Sequence, residues 1–109
     1  MSDTNPVSVL VIYRPKEGTE AQFLPILERH WPALDRLGLV TDEPARFWRA
    51  TGKNGRTSFV EMFSWKDESS SDVAHQTPEV MAIWEPMGAI LEDLQILHVE
   101  PLEMRAANG

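Results

Sequence analysis

The chain has 109 residues, 42% hydrophobic and 25% charged, with ten basic against seventeen acidic side chains and a net charge of −7. That balance argues against nucleic-acid binding, which needs a basic face for phosphates, and against docking on anionic membranes. There is no cysteine, so disulfides, thiolate metal sites and a cysteine nucleophile are excluded.

The length suits one domain. Met1 to Pro6 has no basic region followed by an apolar run, and no apolar run approaches membrane-spanning length. A cytoplasmic protein is expected. Residues 1–6 read as a flexible arm, residues 7–101 as the domain, and residues 102–109 as a tail in which Leu102 and Met104 dock.

Val7 to Tyr13 is the strongest strand signal, β-branched and apolar on both faces apart from Ser8. A turn at Arg14 to Gly18 leads to a helix over residues 19–37. Thr19 and Gln22 make a capping-box pattern, Gly38 is a C-terminal stop, and Pro25 and Pro32 predict a bend near residue 31. Residues 45–51 and 56–65 read as a hairpin joined through Asn54-Gly55. A short helix is expected over 72–75. A long one follows, capped by Thr77, begun by Pro78, kinked at Pro86 and running to Asp93, with Val80, Trp84, Met87 and Leu91 on one face. Residues 95–100 form the last strand.

The order is β-α-β-β-α-β. It predicts an α+β, ferredoxin-like sandwich: a four-stranded antiparallel sheet with helices on one face. Leu10 and Ile12 alternate with Val9 and Val11, so the other face is apolar too and needs a cover. A second copy of the chain, packed sheet to sheet in a homodimer, is the simplest one.

Phe59-Val60-Glu61-Met62-Phe63-Ser64-Trp65-Lys66-Asp67, with His75-Gln76-Thr77-Pro78-Glu79-Val80 and Ile83-Trp84-Glu85, resembles the antibiotic-biosynthesis-monooxygenase-like group of dimeric α+β barrel proteins. The resemblance spans residues 7–100. It implies a homodimer whose sheets form a barrel, with a pocket between sheet and helices in each subunit. Some members oxidise polycyclic aromatic substrates without metal or flavin, some cleave haem, and many have no assigned activity. The haem-cleaving members use an Asn on the first strand and a Trp and a His around the second helix. Here the first strand has no Asn, while Trp84 and Ala74 stand where the His and Trp would be, so that set does not carry over and no cofactor is expected.

The functional reading is a homodimer that binds a compact apolar or aromatic molecule between sheet and helices, with monooxygenase-like oxidation as its chemistry. The alternative is a non-catalytic dimeric module. In the first reading Trp84 and Met81 form the roof and Trp48 or Phe63 the floor, with Trp65 and His30 completing the substrate-binding set. His75, near the positive end of the long helix, supplies a general base or an anchor for a phenolate-like oxygen, or simply bonds the preceding loop. His30, His75 and His98 have no ligand spacing, so no metal is expected. Glu61 among aromatics is either a buried proton acceptor or, more commonly, a strand residue facing solvent or the partner. No phosphate loop, dinucleotide fingerprint or Ser-His-Asp arrangement is present.

Overall fold

The first strand, β1 (Val7–Pro15), lies at the centre of a four-stranded antiparallel sheet in the computed structural model, which describes residues 5–104. Residues 1–4 of the expected arm and 105–109 of the expected tail lie outside the described residues. Helix α1 (Glu20–Arg36) follows, then β2 (Arg46–Thr51), β3 (Thr57–Trp65), α2 (Ser70–His75), α3 (Pro78–Ala89) and β4 (Leu91–Val99). The strand order is β2-β3-β1-β4. This is the ferredoxin-like arrangement that the element order predicts.

Strand alternation sorts the side chains. Val9, Val11 and Tyr13 face the helices and align with Phe63, Glu61 and Phe59 of β3. All six are buried, together with Phe23, Leu27 and Leu34 of α1 and Val80 and Met87 of α3. The opposite face carries Leu10 and Ile12 beside Met62 and Val60, with Leu97 of β4 and Trp48 of β2 in register. Leu97 and Trp48 remain 44% and 42% exposed.

Helix α1 is continuous across Pro25 and Pro32, both of which sit on its exposed side. Its end is a Schellman motif: the Gly38 N–H donates to Asp35 O and the Leu39 N–H to Leu34 O, both at 3.0 Å. Gly38 takes the positive φ of 73° that this cap requires.

Three expectations need correction. The Thr19 and Thr77 side chains cap nothing: Thr19 Oγ1 donates to Lys16 O (2.6 Å) and Thr77 Oγ1 to Val73 O (2.7 Å). Each hydroxyl finds a nearer carbonyl behind it than the amide ahead. The long helix stops at Ala89, and Leu91 to Leu94 join β4 opposite Pro15 to Tyr13. Ladder pairing with β1 overrides the helical spacing of Leu91. Leu102 and Met104 do not dock; they are 79% and 76% exposed.

Candidate functional site

A cleft of about 220 Å³ opens between the sheet and helices α2 and α3. Its walls are Val9, Val11 and Tyr13 of β1, Phe63 and Trp65 of β3, Ser71 and His75 of α2, and Trp84 and Met87 of α3. His30 of α1 also reaches it, and Leu94, Ile96 and His98 of edge strand β4 border it.

At its base lies a buried polar cluster in an otherwise apolar core. Glu61 is fully buried, and His30 and Tyr13 are each 3% exposed. The Tyr13 hydroxyl donates to Glu61 Oε1 at 2.5 Å. His30 Nδ1 lies 3.0 and 3.1 Å from the two oxygens of the same carboxyl group. Burial, and then the charge and hydrogen bond of Glu61, push the Tyr13 phenol well above its usual range. The His30 Nε2 atom is buried and has no protein partner among the described residues.

The aromatic residues set the cluster's surroundings. The His30 ring lies edge-on to Phe63 at 5.8 Å and 6.1 Å from Trp84. Trp84 in turn packs edge-on against His75 at 4.8 Å. Phe63 and Trp65 meet at 5.1 Å. Helix α2 is placed from its start, where the Ser69 amide and the Ser69 and Ser70 hydroxyls donate to Asp67 Oδ1. These bonds hold the Asp67 carboxyl below its ordinary range.

Of the residues singled out from sequence, Trp84, Phe63, Trp65, His30 and His75 come together at this cleft. His75 is exposed at its rim, with Nδ1 donating to Ser71 O at 2.8 Å. Met81 and Trp48 do not join them. Met81 follows Val80 on α3 and is therefore turned about 100° from the buried face. Trp48 aligns with Val60 on the opposite sheet face, where Arg46 lies 5.0 Å over its ring. It borders a different, larger and more open hollow of about 500 Å³ between α1 and β2, along with Trp31 and Phe47.

Of the two readings of Glu61, the structure supports the buried placement and not the commoner one facing solvent or a partner. Register with Val11 puts it on the helix face, where His30 meets it. Tyr13 was legible only as a strand residue. The one signal for the cluster was an acidic residue flanked by Phe59 and Phe63. His30, His75 and His98 all border the cleft, yet among the described residues no group of three ligand-type side chains is close enough to hold a metal ion.

No protein-family model matches the sequence, and no curated protein is similar to it by sequence. Solved structures are similar in fold. A variant of SnoaB, a cofactor-independent oxygenase from Streptomyces nogalater, superposes with a TM-score of 0.72 at 15% identity, covering 93% of this chain and 97% of that one. A crystal structure described as an antibiotic biosynthesis monooxygenase gives 0.70 at 13% identity, covering 89% and 99%. Rv0793 from Mycobacterium tuberculosis gives 0.64 at 13%, covering 94% and 100%. The chain therefore has the fold of the antibiotic biosynthesis monooxygenases, as its resemblance to that group implied.

Proposed function

We propose that the protein is a cytoplasmic homodimer that binds a compact apolar or aromatic molecule in the cleft beneath α3 and acts on it as a cofactor-independent, monooxygenase-like enzyme. The observation that carries the reading is the cleft itself: four aromatic or thioether side chains, Phe63, Trp65, Trp84 and Met87, around one buried histidine with a free ring nitrogen. A concave apolar site with a few convergent polar groups is the usual form of a small-molecule site. The fold likeness to a cofactor-independent oxygenase supports the chemistry. Oxidation of this kind uses dioxygen as the oxidant and needs a substrate that supplies the electrons: an activated CH₂ gives up two hydrogens, one atom of O₂ enters as a carbonyl, and the other leaves as water.

Two of the four tryptophans line the cleft, so intrinsic fluorescence reports occupancy. Two-ring aromatic compounds titrated into the protein should quench it saturably. Trp84→Ala should weaken binding by tenfold or more while the fold and oligomeric state persist. A solidly filled cleft, seen as no response to any compound, would reject the reading.

A further inference from the structure

We infer that the segment after β4 reaches a second copy of the chain, where residues 101–104 lie along the edge of β2 and Leu102 and Met104 fill the hollow between α1 and β2. The inference rests on the homodimer and adds to it a contact that the sheet faces do not make. Two unmatched apolar surfaces lead to it. The hollow, of about 500 Å³, is walled by Leu24 and Trp31 of α1 and by Phe47 of β2. Phe47 and the neighbouring Trp48 are both exposed. The other surface is the tail, where Leu102 and Met104 are large, apolar and without cover in the single chain. Leu102 cannot reach the hollow of its own chain. Strands β2 and β4 are opposite edges of the sheet, three strand spacings or about 14 Å apart. From Val99, the end of β4, the chain to Leu102 spans at most about 11 Å.

Strand geometry and charge say how the segment lies. Strand β2 pairs with β3 on one side only, so its outer row of backbone N–H and C=O groups is open to another strand. Pro101 has no amide hydrogen, so the ladder of β4 does not continue into the tail. In an extended segment Leu102 and Met104 point to one side and Glu103 to the other. The same alternation puts Phe47 of β2 on the helix side, in register with Glu61. Arg46 and Trp48 fall on the opposite side, in register with Met62 and Val60. With Leu102 and Met104 against Phe47 in the hollow, Glu103 comes beside Arg46. The charges agree. Residues 45–60 carry Arg46, Arg49, Lys53 and Arg56 and no acidic residue, in a chain of net charge −7. Arg49 and Arg56 are paired with Glu20 and Glu92, whereas Arg46 lies over Trp48 and has no carboxylate partner among the described residues. Residues 100–104 carry Glu100 and Glu103 and no basic residue.

The chain has no cysteine, which makes cross-linking a clean test. Full-length Phe47→Cys and Met104→Cys variants are co-expressed and oxidised mildly, and the products are read on a non-reducing gel. A disulfide-linked dimer is expected from the mixture and from neither variant alone. Glu85→Cys, exposed on α3, should give none when it replaces Phe47→Cys. A second readout is dimer dissociation by sedimentation. Leu102→Ser with Met104→Ser should raise the dissociation constant at least ~tenfold while the folded spectrum persists. No cross-link in a mixture that sediments as a dimer, or an unchanged dissociation constant, overturns the inference and leaves the dimer standing. So does a disulfide closed within one chain of the double variant Phe47→Cys/Met104→Cys. An unaltered protein that sediments as a monomer overturns the dimer and this contact with it.

Discussion

Tyr13 is the only tyrosine in the chain, so phenolate absorbance follows a single known group. Its folded-state pKa is raised above the unfolded value of 10.0, chiefly by burial. The neutral phenol therefore contributes its full stabilisation below pH 10, and that contribution is lost as pH rises beyond it. Phenolate absorbance should appear only together with alkaline unfolding. An ordinary titration in the intact fold would contradict the buried geometry. Tyr13→Phe should lower stability at neutral pH by about 1–3 kcal/mol, read from urea denaturation, and remove this alkaline dependence. Glu61 is the more demanding position. Glu61→Ala strands a buried hydroxyl and a buried imidazole at once, and should cost about 3–5 kcal/mol. Non-additivity of the two substitutions in a double-mutant cycle is expected, because they share one hydrogen bond.

At the scale of elements, the cap at the end of α1 fixes how the chain turns toward β3. Leu39 lands in the core against Leu34, and the Lys66 N–H donates back to Leu39 O at 2.9 Å. Gly38→Ala puts a Cβ at a φ of 73° with open space around it, so its cost is conformational alone. About 1 kcal/mol of lost stability is expected in a denaturant titration, with the folded spectrum unchanged. Helix α3 shows the limit of periodicity as a guide. Leu91 continues the spacing of Val80, Trp84 and Met87, yet it belongs to β4. The exposed ion pairs Arg36–Glu79 and Arg56–Glu92 tie α1 to α3 and the hairpin to β4, and pairs so exposed add little to stability.

For the whole molecule, the sheet face away from the helices is the apolar surface that needs a cover. Leu10, Ile12, Val60 and Met62 are only half-buried, and Leu97 and Trp48 are exposed beside them. A second copy of the chain is the cover we propose. Sedimentation should show a dimer for the unaltered protein and a monomer for Ile12→Lys, since a buried ammonium without a partner would not be tolerated. A monomeric unaltered protein would refute the dimer.

The pattern of apolar and turn residues determined the element order, the antiparallel hairpin and the two-sided apolar character of β1, because these follow from local alternation and chain geometry. It also drew attention to Trp84, Phe63, Trp65, His30 and His75, large or titratable side chains at core-like positions. Which of them meet was decided by tertiary structure alone. Strand register turned Glu61 inward and Trp48 outward, and the packing of α1 on the sheet brought His30 onto a carboxyl group 31 residues along the chain. No local pattern encodes such a meeting, because the burial that makes the contact favourable exists only once the sheet and helices have assembled.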